Sequence, residues 1–269
     1  MRGPAGISLA GTVGVVVAVT AGCDRAEPSV ADGTPTATTA SAQAVAPADD
    51  PELRALLGSF GPEIEGFEVP ARFARGGPEP ASALVLDAPD VVEPAECTGF
   101  HQASALATPE DLGAAADDLL FAAGWFFPGG AMPDEPPFVP SIEVAARVFD
   151  DAAVAADLVG ALLGSGCEAY VRTATWDDGS NTLEHEVAEV GEIDLPGLEA
   201  RTVLIVWARG TATQYDAAGE VVGVDTRESW RQYVHVDGVD AISIETAGLE
   251  DEQMVADVIA QFLDHMATG

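Results

Sequence analysis

The chain has 269 residues, 45 acidic against 11 basic, and every basic residue is Arg. A formal charge of −34 excludes the basic footprint that nucleic-acid binding needs to displace counterions, and excludes electrostatic docking on an anionic lipid surface. The hydrophobic fraction of 48% suffices for one medium core, although much of it is Ala.

Arg2 precedes an apolar run of small and β-branched residues from Ala5 to Ala21, which is too short and too rich in Gly for a good transmembrane helix. A basic start, a short apolar stretch and small residues before a cut site predict a secretory signal over 1–22. The boundary Val19-Thr20-Ala21-Gly22-Cys23 looks like the lipobox of bacterial lipoproteins, where cleavage leaves Cys23 as a diacylated, palmitate-bearing N-terminus. Multiple acyl chains hold a protein on a membrane where a single chain does not. The expected location is the extracytoplasmic face of the cell membrane, with the lipid as the membrane contact. Residues 23–50, with Thr34-Pro35-Thr36-Ala37-Thr38-Thr39 as their type, bury no core and read as a disordered tether.

The remainder, 51–269, has the size of one domain. Asp50-Pro51-Glu52 before Leu53, Leu56 and Leu57 is a helix start, with a capping Asp and Pro in the first turn. A short extended run covers Ala83 to Leu86, and Thr108-Pro109-Glu110-Asp111-Leu112 opens a second helix. Leu119 to Phe127 reads as a mainly buried strand, and five prolines and two glycines between Pro128 and Pro140 rule out regular structure there. Ile142, Val144, Ala146 and Val148 alternate as a strand, and Asp150 caps a helix whose apolar face is Val154, Leu158, Val159, Leu162 and Leu163. Strands follow at Ala169 to Trp176, Leu183 to Val190, Arg201 to Tyr215, Val221 to Val236 and Ala241 to Glu245, separated by Asp- and Gly-rich turns. Glu250 to Met266 closes the chain as an amphipathic helix. Antiparallel strands with helices early and late predict an α+β fold, a two-layer sandwich in which helices cover one face of an antiparallel sheet.

Three cysteines occur. With Cys23 consumed by lipid, Cys97 and Cys167 remain as an even pair in an oxidising compartment, and a disulfide between them would stabilise the fold by about 4 kcal/mol on chain-entropy grounds. The rival, a reactive thiol pair or metal site, lacks a nearby His or third Cys to complete a ligand set. No metal or cofactor is expected.

No hydrolase elbow, phosphate loop, dinucleotide fingerprint, zinc-protease helix or calcium loop is present, and the absence of Lys excludes Schiff-base chemistry. Glu184-His185-Glu186 comes nearest to a constellation, but on a strand His185 faces away from both carboxylates, and the segment reads as a solvated edge. Two features suit ligand binding. Trp125 and Phe127, with Met132 and Phe138 from the proline-rich loop, would form the lip of an apolar cleft; the plain alternative is a strand end with core aromatics. Arg201, Arg209, Arg227 and Arg231 lie near Trp207, Trp230 and Tyr233, where Arg209 and Arg231 would bind an anionic headgroup unless neighbouring acids pair with them.

The lipobox, the tether, Pro94-Ala95-Glu96-Cys97, the strand and helix running from Ala145-Ala146-Arg147-Val148-Phe149 to Cys167, and the antiparallel block with its terminal helix follow a known order. Over 51–269 the chain resembles the extracellular sensor domain family of actinobacterial lipoproteins and receptor kinases, the PknH-type C-terminal domain. The resemblance implies an α+β sandwich with a ligand cleft and no enzymatic activity. That family commonly carries a second disulfide in its C-terminal half, whereas this chain has no Cys after Cys167. The sequence thus points to a monomeric, non-catalytic envelope lipoprotein that binds a lipid or small molecule. The alternatives are an envelope hydrolase with a site assembled from distant residues and an adaptor lipoprotein that binds a protein partner.

Overall fold

A computed structural model describes residues 50–70, 91–108, 111, 120–131, 140–176 and 179–268. The expected signal, tether, strand at 83–86 and most of the 108–112 helix lie outside them. In chain order the elements are α1 (Pro51–Ser59), β1 (Phe67–Glu68), β2 (Val91–Glu93), α2 (Thr98–Ser104), β3 (Leu120–Pro128), β4 (Ser141–Val148), α3 (Ala152–Gly164), β5 (Ala169–Trp176), β6 (Gly179–Ile193), β7 (Arg201–Asp216), β8 (Val221–Asp237), β9 (Asp240–Ala247) and α4 (Glu252–Ala267).

The strands form one nine-stranded sheet in the order β1-β3-β4-β9-β8-β7-β6-β5-β2, with every pairing antiparallel. Local chemistry sets the turns. Between β7 and β8 the Asp216 carboxylate accepts from the amides of Ala218 (2.8 Å) and Glu220 (2.9 Å), and Gly219 takes φ +79°. Helices α1, α3 and α4 start at aspartates: Asp50 accepts from Glu52 N, Asp151 from Ala153 N, and Asp251 from Met254 N. The cap of α3 is therefore Asp151, one residue beyond the expected Asp150.

The α+β antiparallel class expected from sequence is the one adopted. Its helices, however, are shared between the two faces of the sheet. Ile242 and Ile244 of β9 pack with Val144 and Ile142 of β4 and with Leu57 of α1 and Val255, Ile259 and Phe262 of α4. Ala241 and Ala247 of the same strand join the opposite core, with Val203 and Ile205 of β7, Phe100 of α2 and Leu158 and Leu162 of α3. The central strands thus bury both sets of alternating side chains, which requires helices on both sides. Cys97 and Cys167 form a disulfide across 70 positions with Cα atoms 5.4 Å apart, and it ties the approach to α2 to the segment between α3 and β5.

Candidate functional site

On the face covered by α2 and α3, the β7–β8 ladder pairs Trp207 with Trp230 and resumes at Arg209 with Glu228, leaving Ser229 at φ +38°. Such an irregularity changes which side chains share a face. Arg227 consequently lies beside Trp230, its guanidinium carbon 4.7 Å from the ring centroid. A Cβ on Gly210 would come within 2.7 Å of Trp230 Cη2, so the bare glycine is what lets the indole lie over β7. Trp207 and Trp230 stack with centroids 5.3 Å apart and planes 12° from parallel. His185 stacks on Tyr170 at 5.0 Å and tilts against Trp207 at 5.1 Å.

Beside this aromatic wall opens a recess of about 160 Å³. Phe121, Ala145, Leu183 and the two indoles give it apolar surface. Gln232 is locked within it: its Oε1 accepts from Trp207 Nε1 (3.1 Å), and its Nε2 donates to Ser104 O (2.6 Å) and Ser243 Oγ (2.8 Å). Strands β4 and β9 bring Glu143 and Glu245, which face each other in register, while β5, β6 and α2 bring Tyr170, Arg172, His185 and His101. His101 Nδ1 lies 3.3 Å from Tyr170 Oη.

Burial dominates the electrostatics. It holds His101 down at about pKa 3 and His185 at about 4, with repulsion from Arg172 adding to both, so each ring is neutral near pH 7. The Tyr170 hydroxyl is pushed up for the same reason. Glu143 and Glu245 are both raised, first by burial; the like charge of Glu245 adds to the effect on Glu143, whereas Arg227 opposes it at both. Glu245 lines the recess, its side chain being 24% exposed. Arg227 donates to Glu245 Oε2 at 2.9 Å. No group of three or more metal-ligating side chains occurs among the described residues.

Of the residues singled out in the sequence, Cys97 and Cys167 are joined as expected. Trp125 pairs with Glu143 across β3 and β4 and hydrogen-bonds its carboxylate, but does not itself line the recess. Phe127 is 2% exposed and opposite Glu68 of β1, a core position rather than a lip. Arg209 bonds Glu186 and Arg231 bonds Glu250 at 3.1 Å; neither lines the recess, and pairing with acids is their use. Cys23, Met132 and Phe138 lie outside the described residues. His185 is no solvated edge: β5 and β7 flank β6, and the ring is enclosed by Tyr170, Trp207 and Trp230. Glu143 and Glu245 were missed. Each occupies an apolar strand facing a residue of the same charge, and that cross-strand pairing is invisible before the topology is known.

No protein-family model matches the chain, and no curated protein matches it. Among solved structures, the chain is similar to the extracellular domain of PknH from Mycobacterium tuberculosis, at 12% identity and a TM-score of 0.36, over 81% of this chain and 91% of that one. Similarity at that level does not establish membership of the PknH-type family, and the functional reading rests on the residues of the recess.

Proposed function

We propose that the chain is a lipid-anchored protein of the cell envelope whose 51–269 domain, on the extracytoplasmic face, binds a small ligand in a sensor-like role without catalysis. The observation that carries this reading is the recess beside the Trp207–Trp230 stack, which combines aromatic surface with a few fixed polar groups, the usual make-up of a ligand site. His185 is stacked on Tyr170, His101 is tilted against the same ring, and both are held neutral by burial, an arrangement that suits shape recognition better than proton shuttling. The lipobox at Cys23 and the disulfide support the location, since disulfides persist in oxidising compartments. No described helix is long and apolar enough to cross a membrane.

The experiment is native mass spectrometry of the protein purified from its own host, beside Ala145→Phe, which places a ring in the recess. A mass excess in the wild type that is lost in the variant is expected. Wild-type protein that emerges bare would count against the reading.

A further inference from the structure

The recess holds more negative than positive groups where β4 meets β9. Glu143 and Glu245 oppose each other on neighbouring strands, and one guanidinium, Arg227, bonds Glu245 from β8. Arg227 is also occupied on its other side, lying over the Trp230 ring. The guanidinium that lines the recess itself, Arg172 on β5, acts on His101, His185 and Tyr170. On β3 the neighbour of Glu143 is Trp125, which hydrogen-bonds the carboxylate and brings no charge. Arg227 offsets Glu245, so Glu143 is the carboxyl that retains a proton, burial and the neighbouring charge of Glu245 both disfavouring its ionisation. Beside the pair lie Trp207 and Trp230, stacked on each other, whose remaining aromatic surface in the recess receives the apolar body that carries the charge.

We propose that the recess takes a compact organic cation, its charge held by the Glu143–Glu245 pair and its body against the Trp207–Trp230 stack. The inference rests on the ligand-binding reading and narrows it to one charge class. Binding exchanges a proton for the ligand: the carboxyl O–H gives its proton to solvent, and the resulting carboxylate pairs with the cation, while no other bond forms or breaks. Cation binding is therefore favoured as pH rises through the titration of the pair. Of the other groups facing the pair, which include Arg172 and Arg227, His101, His185 and Tyr170 keep one charge state across the neutral range and do not supply this dependence.

The probes are choline and its uncharged isostere, in which a quaternary carbon replaces the nitrogen, titrated into the purified full chain while Trp fluorescence is followed. Saturable binding of choline is expected, at least about tenfold tighter than the isostere and tighter at about pH 8 than at about pH 5. Glu143→Gln should lose that pH dependence and about tenfold in affinity. In case this variant does not fold, proton release is measured on the wild type in weak buffer, where up to one proton per choline is expected. Equal binding of the two probes, no choline binding, or no proton release overturns the cation. If the isostere binds as well as choline, or native mass spectrometry finds an uncharged ligand, the binding reading survives and only the charge class fails.

Discussion

His185 stands between two glutamates, and period-two alternation turns its ring to the face opposite both. The sequence shows that alternation but not what lies on the other side. Tyr170 of β5, its ladder partner, supplies a ring to stack on, and Nδ1 is left buried with no hydrogen-bond partner among the described residues. The unfolded chain binds a proton on this imidazole below its ordinary value of 6.5, whereas the folded chain refuses one until about 4. Stability is consequently lost as pH falls through that window. His185→Phe retains a ring in the stack and removes the orphaned nitrogen. It should stabilise the protein more at about pH 5 than at about pH 8, by on the order of 1–2 kcal/mol in urea denaturation at the two values. An equal effect at both would show that the ring titrates normally.

Among the elements, β5 to β9 and helices α3 and α4 are legible because their side chains alternate or repeat over many residues between strong turn signals. The strand expected at Leu183 to Val190 extends to Gly179–Ile193, since polar residues on a hairpin arm pair through backbone whatever their side chains. Helix α2 was not foreseen: it has no side-chain cap, follows directly on a short 3-10 turn over Ala95–Cys97, and carries His101, Gln102 and Ser104 where apolar residues would announce a helix. All three are buried, and His101 and Ser104 reach the recess. The disulfide closes immediately before that helix. Replacing Cys97 and Cys167 together by Ser should cost about 2–5 kcal/mol. The denaturation midpoint measures this, with reductant on the wild type expected to reproduce it; no change would mean that noncovalent packing alone fixes α2.

For the whole molecule, the formal charge of −34 governs encounter rather than topology. An anionic domain is repelled by an anionic bilayer, so the proposed retention at the membrane would depend on the lipid at Cys23. Cys23→Ala should move the protein from the membrane fraction to the soluble fraction of the envelope, and unchanged retention by immunoblot would place the anchor elsewhere. Among the described residues both borders of the sheet are very short strands, two residues in β1 and three in β2. Brief borders offer little template to a neighbouring chain. β2 ends at Glu93, only a few positions before bonded Cys97, so this border strand stays tethered to its own β5. While that bond is intact, the covalent link keeps this border strand from being handed freely to another copy of the chain.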